Sequence, residues 1–154
     1  MPYLIDGHNL IGRVPGLNLD DLDDEKALIE MLMEFCLQNG KDAEVVFDHS
    51  ATGHARARVH GRVTARFVRS GETADQAIAR RLKNLGNAAA NWTVVSSDRQ
   101  VQNFARRARA RVVDSSDFSR ELLAGERPKE IDENLNLSED EVDEWLDLFG
   151  DGDE

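Results

Sequence analysis

The sequence of 154 residues predicts an α/β protein in which helices cover both faces of a central, mostly parallel sheet of about five strands. Short apolar runs of strand length alternate along the chain with stretches of helical periodicity, and the loops between them are short. Parallel strands need crossover connections, which are usually helices, so the alternation favours three layers, with helices on both sides of the sheet. Capping-box spacing marks three helix starts, at Thr73, Ser97 and Ser138.

Each expected strand is a short apolar run bounded by turn residues. The runs cover residues 2–6, 43–48, 63–68, 92–96 and 110–113. Residues 49–61 are short of large apolar residues and rich in His, Arg, Ala and Gly. We therefore expect a loop there, with about one helical turn.

The expected helices carry apolar residues at helical spacing and acidic or capping residues at their starts. They cover residues 20–39, 74–85, 99–109 and 115–123. Beyond Gly125 the composition changes, and residues 128–136 predict a linker. We expect one domain at 1–127, followed at 128–154 by an acidic linker and a helix that docks on the domain.

The final helix is predicted from an apolar stripe with i, i+3, i+4, i+7 spacing. The stripe consists of Val142, Trp145, Leu146 and Phe149. Leu137 and Val142 also have the spacing of a hydrophobic staple around the helix start.

The single cysteine indicates the cellular compartment. Cys36 cannot form a disulfide within the chain, which favours a reducing, cytoplasmic compartment, and its apolar helical context predicts a core position. The N-terminus lacks the pattern of a signal peptide, and no stretch approaches the roughly 18 apolar residues of a membrane span. We expect no membrane association.

The net charge of −11 is distributed unevenly. Residues 54–111 carry 13 basic and 3 acidic side chains, whereas residues 128–154 carry 1 and 12. The basic middle favours a polyanionic partner over the alternative, a solvated loop in an acidic protein. Arginine suits phosphate contacts because its guanidinium can bind two oxygens at once. The predicted nucleic-acid contacts are Arg56, Arg58, Arg62, Arg66 and Arg69.

Four aspartates are expected at strand ends or in the first turn of the following helix: Asp6, Asp48, Asp75 and Asp98. In a parallel sheet these positions converge on one edge. Two carboxylates about 4 Å apart repel each other by roughly 4 kcal/mol at an effective dielectric of 20, so such a cluster needs protons or a cation. Hard oxygen ligands without a His or Cys cluster suit Mg²⁺ or Mn²⁺.

Each of these aspartates also has a purely structural interpretation. Asp75 would be favoured by the helix dipole, Asp98 could be an N-cap, and Asp48 could start a turn. Asp6 is hardest to explain in this way, because Gly7 and the two residues after it do not form a helix-capping pattern. The signal for a shared site is therefore the repetition of the pattern.

Four motifs resemble those of the YacP-like group of NYN domains in the PIN-like nuclease superfamily. They are YLIDGHNLIG near the N-terminus, EVVFDH at the second strand, SGETADQAI at the start of the second expected helix and VVSSDRQVQ at the fourth strand. The match runs in order from about residue 3 to residue 123. A C-terminal segment, LSEDEVDEWLDLFG, resembles a helix found in part of the group.

The resemblance implies a PIN-like fold and a metal-dependent endoribonuclease, with cleavage of ribosome-associated mRNA known in the group. Carried over by motif, Asp6, Asp75 and Asp98 would bind the metal, and Asp48 would be an outer member of the site. Asn9 would hold the first aspartate or a phosphate, and Ser97 would orient ligands or water.

One position departs from the pattern of the relatives. They often have a second acid directly after the aspartate of the third motif, where this chain has Gln76. An alternative function is therefore an RNA- or ribosome-binding module that does not cleave. A receiver-like phosphoryl-transfer domain is a weaker alternative, because residues 110–117 contain no lysine. The acidic C-terminal helix could also cover the basic region.

Overall fold

The computed structural model describes residues 2–17, 22–48 and 56–133. Its strands are β1 (Tyr3–Asp6), β2 (Ala43–Phe47), β3 (Arg56–His60), β4 (Val63–Phe67), β5 (Thr93–Val95) and β6 (Arg111–Val113). They form one sheet of six strands in the order β3-β4-β2-β1-β5-β6. All neighbouring strands are parallel except β3 and β4, which are antiparallel.

The helices are α1 (Gly7–Ile11), α2 (Leu22–Asn39), α3 (Ala74–Leu85), α4 (Arg99–Arg107) and α5 (Ser115–Glu133). A 3₁₀ segment, Gly86–Asn91, follows α3. The α/β class, the mostly parallel sheet and the order of the predicted elements are confirmed. Within the described part of the chain, no helix is long and apolar enough to cross a membrane.

Apolar side chains form two buried clusters, one on each face of the sheet, because successive strand residues point to opposite faces. One cluster joins the strands to α1, α2 and α5, and includes Ile5, Leu28, Leu32, Phe47 and Phe118. The other joins the strands to α3 and α4, and includes Leu4, Val46, Ile78, Val94 and Val101. The predicted three layers are therefore present, and Cys36 is buried in the first cluster as expected.

The predicted loop at residues 49–61 is wrong for its second part. Residues Arg56–His60 form β3, a strand in addition to the five that were expected, and it pairs with β4. Gly61, with φ of +61°, lies in the tight turn between the two strands. The strand was not expected because its side chains are mostly exposed and so carry no apolar run.

Three smaller differences concern helices. The short α1 was not predicted, because five residues are too few to establish a period. The linker predicted at 128–136 is wrong for its first residues, since α5 continues to Glu133. The expected helix at 99–109 ends at Arg107. The capping box at Thr73 is confirmed by both of its hydrogen bonds.

The chain divides into two compact units, Met1–Leu122 and Leu123–Glu154. Of the second unit the structure describes only the continuation of α5. The predicted helix with its start at Ser138 lies outside the described residues, and the division into 1–127 and 128–154 stays a prediction.

Gly7 lets β1 pass directly into α1 against a neighbouring strand. A Cβ atom at this position would lie 2.5 Å from Cε1 of Phe47 and 2.9 Å from the carbonyl oxygen of Val46. Both distances are too short, and the Val46 backbone is held in the sheet.

We expect Gly7→Ala to lower the free energy of unfolding by about 1–3 kcal/mol, the usual cost of overpacking a tight site. Urea denaturation followed by circular dichroism measures it. Gly12→Ala is the control, because Gly12 is exposed and has φ of −64° and ψ of −13°, which alanine adopts freely. Equal unfolding midpoints for both variants would contradict the close approach seen here.

Candidate active site

The four aspartates singled out in the sequence lie at the carboxyl edge of the sheet. Asp6 is the last residue of β1, Asp48 directly follows β2, Asp75 is in the first turn of α3, and Asp98 is the N-cap of α4. They are close enough to influence one another's ionisation, as described below. The structure thus brings together the four residues that the sequence predicted to share a site.

Asp6 is the buried member of this group, with 6 % of its surface exposed. Burial raises the pKa of its carboxyl group to about 6, and the negative charges of Asp75 and Asp48 act in the same direction. Hydrogen bonds from the Ser96 side chain and the Asn9 backbone oppose the rise. A carboxyl group in this position gains from either a proton or a cation.

Asp75 is affected in the same way to a smaller degree. Burial raises the pKa of its carboxyl group, followed by the charges of Asp98 and Asp48. The charge of Asp75 also raises the pKa of Asp6. Asp75 therefore interacts electrostatically with all three of the other aspartates. The same edge of the sheet concentrates negative charge from four separate elements.

Ser96 connects two of the aspartates. Its hydroxyl group donates a hydrogen bond to Oδ2 of Asp6 at 3.2 Å and accepts one from the backbone N–H of Asp98 at 3.0 Å. Ser96 is fully buried at the end of β5. It therefore fixes the position of the Asp6 carboxylate relative to the start of α4.

Asp48 and Asp98 each accept a hydrogen bond from a helix N-terminus with one carboxylate oxygen. Oδ1 of Asp48 accepts a hydrogen bond from the N–H of Ala74 at 2.8 Å, and Oδ1 of Asp98 accepts one from the N–H of Gln100 at 2.8 Å. The structural interpretation of Asp98 as an N-cap is confirmed. The capping residue of α4 is Asp98, one position after the predicted Ser97.

Asn9 has a different contact from the one expected. Its side-chain oxygen accepts hydrogen bonds from the N–H of Ser97 at 2.8 Å and from the hydroxyl of Ser115 at 2.6 Å. Only its backbone contacts Asp6. Asn9 thereby ties α1 to the loops that follow β5 and β6.

The Ser97 hydroxyl donates to Oδ1 of Asp114 at 3.2 Å. Asp114 also accepts a hydrogen bond from the N–H of Ser116 at 2.9 Å, at the start of α5. Ser97 therefore braces two loops in this structure.

His8 lies between Asp48 and one further acid, Glu25. Its Nε2 is 2.5 Å from Oε2 of Glu25, and its Nδ1 is 3.4 Å from Oδ2 of Asp48. Hydrogen bonding to Asp48 raises the pKa of the imidazole, burial lowers it, and hydrogen bonding to Glu25 raises it, with a net rise. The two acids thus favour the protonated form of the imidazole.

The five arginines predicted to contact nucleic acid divide into two groups. Arg56 and Arg58 are exposed on β3. The other three lie near acidic side chains: Arg62 near Asp42, Arg66 with Glu44 and Arg69 with Glu72, at 3.9, 2.8 and 3.7 Å.

The donor set at the aspartates fits a hard cation in its chemistry. Mg²⁺ keeps several waters and is usually held by one or two carboxylates together with substrate phosphates. Among the residues that the structure describes, no group of three or more His, Cys, Asp or Glu side chains is arranged to hold one ion. The site therefore offers carboxylate oxygens without a closed set of protein ligands.

Comparison with known proteins gives the family. The model for the YacP-like NYN domain matches residues 3–147, which is nearly the whole chain. The chain belongs to this family. The resemblance seen in the four sequence motifs is thus confirmed, and the NYN domain is a nuclease-like fold of the PIN-like superfamily.

The relatives come from Bacillus subtilis. The chain is 35 % identical over 100 residues to the protein YacP of strain 168, an alignment that covers 62 % of this chain and 59 % of YacP. The chain thus spans about three fifths of the length of that curated relative.

Two crystal structures of Rae1 (YacP) are similar. One matches with a TM-score of 0.73 and 26 % identity over 97 % of this chain and 92 % of the other. The W164L mutant matches with a TM-score of 0.68 and 30 % identity over 84 % and 79 %.

Several residues of this NYN domain were missed in the sequence. Ser96 and Asp114 were detectable in principle, since Ser96 directly follows β5 and Asp114 directly follows β6, as Asp48 follows β2. In the sequence, Glu25 is one of several acids near the start of the expected helix at 20–39. Its contact with His8 joins α2 to α1, and no local pattern predicts such a pairing.

We expect Asp6→Asn to stabilise the metal-free protein at pH 8 by up to about 3 kcal/mol. The folded-state pKa of about 6 lies above the ordinary value of 3.8, so the folded protein binds a proton more tightly than the unfolded chain. The contribution of Asp6 to wild-type stability is therefore most favourable below about pH 4 and is lost as the pH rises through 6. Asp6→Asn does not lose stability in this way, and its gain in stability over wild type should vanish at low pH.

Chemical denaturation in EDTA at several pH values measures the effect. Asp42→Asn is the control, because the Asp42 side chain is 71 % exposed, and it should change stability by less than about 0.5 kcal/mol at any pH. An Asp6→Asn variant that is less stable than wild type at pH 8 would contradict the unfavourable burial of the Asp6 charge.

Proposed function

We propose that this NYN domain is a metal-dependent endoribonuclease that hydrolyses RNA phosphodiester bonds. Asp6, Asp75 and Asp98 would hold Mg²⁺ or Mn²⁺, with Asp48 as an outer member of the site. The observation that supports this most strongly is Asp6, a buried carboxyl group whose ionisation is opposed by two neighbouring aspartates. A bound cation relieves that repulsion.

The protein's own residues position this site. Ser96 orients Asp6 by a hydrogen bond, and Asp48 fixes the first turn of α3, on which Asp75 lies. Asn9 and Ser97 brace the surrounding loops by hydrogen bonds. When bound, a divalent ion polarises a phosphoryl oxygen and makes water a better nucleophile.

The proposed substrate is single-stranded RNA or mRNA on the ribosome. Support comes from the basic middle of the chain and from its membership of a nuclease-like family. Exposed arginines on β3 would contact phosphates without sequence preference, with an affinity that falls as salt rises. We place the protein in the cytoplasm, where a buried free cysteine stays reduced.

A second candidate is an RNA- or ribosome-binding module that does not cleave. Gln76 supports it, since the side chain at this position serves the helix cap. Its Oε1 accepts a hydrogen bond from the N–H of Thr73 at 3.1 Å. The lack of a closed set of metal ligands in the described part of the site also favours it.

We expect the protein to cleave a labelled single-stranded RNA in Mn²⁺ and to lose this activity in EDTA. Asp6→Asn should lower the rate by at least about 100-fold, the usual effect of removing one group that stabilises transition-state charge. Asp42→Asn should cleave at the wild-type rate, because Asp42 directly precedes β2 and so lies at the edge of the sheet opposite to the carboxyl edge.

Equal cleavage in Mn²⁺, in EDTA and by Asp6→Asn would refute the proposed nuclease. Salt-sensitive RNA binding that survives Asp98→Asn, together with no cleavage in Mg²⁺ or Mn²⁺, would establish the second candidate instead.

We expect Gln76→Glu to leave RNA cleavage within about threefold of wild type, a change of less than about 0.7 kcal/mol in the barrier. Glutamate is the usual residue at this position of a capping box, so its carboxylate should bind the N–H of Thr73 as Gln76 does. Gln76→Ala is the matched control for loss of the cap and should lower stability. A gain of more than tenfold in Gln76→Glu would show that an acid at this position belongs to the site.

A further inference from the structure

A pocket of about 410 Å³ lies between α3 and the outer strands β3 and β4. Arginines from three elements line it, together with an acid, an amide and several apolar residues: the polar lining residues are Arg56, Arg66, Glu72, Arg80, Arg81 and Asn84. Arg80, Arg81 and Asn84 were not among the residues that the sequence predicted to bind RNA.

Glu44 holds two of these arginines in place. Arg81 binds both carboxylate oxygens of Glu44, at 2.9 and 2.7 Å, and Arg66 binds Oε1 at 2.8 Å. Burial would raise the pKa of Glu44, but the hydrogen bonds from Arg81 and Arg66 outweigh it and lower the pKa. Glu44 is therefore ionised and neutralises one of its two partners.

Glu72 acts in the same way at the other end of the pocket. It forms ion pairs with Arg80 and, at 3.7 Å, with Arg69. The Glu72 side chain is only 9 % exposed, whereas Arg80 is 55 % exposed. One carboxylate again serves two guanidinium groups.

Two carboxylates shared by four guanidinium groups leave a net charge of about +2 at the pocket. The arginines are also held in fixed positions, so little side-chain entropy is lost when they bind a ligand. A guanidinium has five N–H donors, and a carboxylate occupies at most two or three of them. The remaining donors suit phosphate oxygens.

One group of the pocket also suits a nucleobase. Proteins bind unstacked bases of single-stranded RNA by hydrogen bonds to the base edges, and the amide of Asn84 can make such bonds. The ring of Phe67 faces the other side of the sheet, where it stacks on Phe47 with ring centres 5.3 Å apart and the guanidinium of Arg56 lies 4.9 Å from it. The pocket on the α3 side therefore offers guanidinium groups and an amide.

The pocket is close to the aspartates along the chain. Val46 lines it two residues before Asp48, and Ala77 lines it two residues after Asp75. The rise of an α-helix places Arg80 about 7.5 Å along α3 from Asp75. A strand held in the pocket would therefore continue towards the carboxyl edge of the sheet.

We propose that this arginine pocket binds one nucleotide of a single-stranded RNA, next to the phosphodiester at the aspartates. Arg80 and Arg81 contact the phosphate, and Asn84 contacts the edge of the base. This proposal rests on the proposed function for its substrate, but it concerns binding and is tested without cleavage.

The test is the binding of a fluorescently labelled oligouridylate in EDTA, followed by anisotropy from about 50 to about 200 mM KCl. Arg80→Gln removes the guanidinium group of Arg80, while Glu72 keeps its ion pair with Arg69. Asn84→Glu adds a negative charge and breaks no ion pair. We expect each variant to bind about threefold to tenfold more weakly, and Arg80→Gln to reduce the salt slope by about 0.7.

The matched controls are Arg107→Gln and Asn103→Glu on α4. Both residues are exposed and neither lines the pocket. They make the same changes of charge as the pocket variants, but outside the pocket. They should therefore leave the RNA affinity and the salt slope as in wild type. Chemical denaturation of all four variants checks that the fold is kept.

Equal weakening by pocket and control variants would overturn the proposal, as would no measurable binding of RNA. Displacement of RNA by poly-glutamate at equal charge concentration would show an acidic polypeptide site instead. Loss of binding in the pocket variants, in a protein that cleaves nothing, would uphold the pocket and refute the nuclease. Metal-dependent cleavage, together with unchanged RNA binding in the pocket variants, would uphold the nuclease and refute the pocket.

Discussion

The burial of the Asp6 carboxyl group is the constraint on which this structure depends. β1 is central in the sheet and its other residues pack on both faces, so its last side chain, that of Asp6, is almost completely buried. A buried charge requires hydrogen bonds or a partner of opposite charge. Ser96 and the backbone of Asn9 supply the hydrogen bonds. The positions of the loops after β1 and β5 follow from this need.

These loops in turn determine where the neighbouring helices begin. Asp48 and Asp98 each bind the N-terminus of a helix and also add negative charge near Asp75. Capping and clustering are therefore not competing interpretations of these residues, because one carboxylate oxygen can cap a helix while the group's charge acts on its neighbours. Repulsion among the aspartates is offset in part by helix ends, which favour anions.

The sequence was sufficient for the order of the main elements and for the convergence of the four aspartates. Both follow from local patterns: apolar runs define strands, and a parallel arrangement brings their ends together. β3 was missed because an exposed strand has no apolar period. The contact between His8 and Glu25 and the shared ion pairs of Glu44 were missed because they join residues distant in sequence. Such pairings depend on how the layers pack.

The edge strand β3 has a further consequence for the protein in solution. Within the described sheet it has a neighbour on one side only, and such an edge can recruit a strand from another molecule. Val59, which is 74 % exposed, would favour that association. Arg56, Arg58 and His60 alternate with apolar residues along the strand, so two copies brought edge to edge would place like charges together. β3 is thereby protected against aggregation while it remains open to ligands of opposite charge.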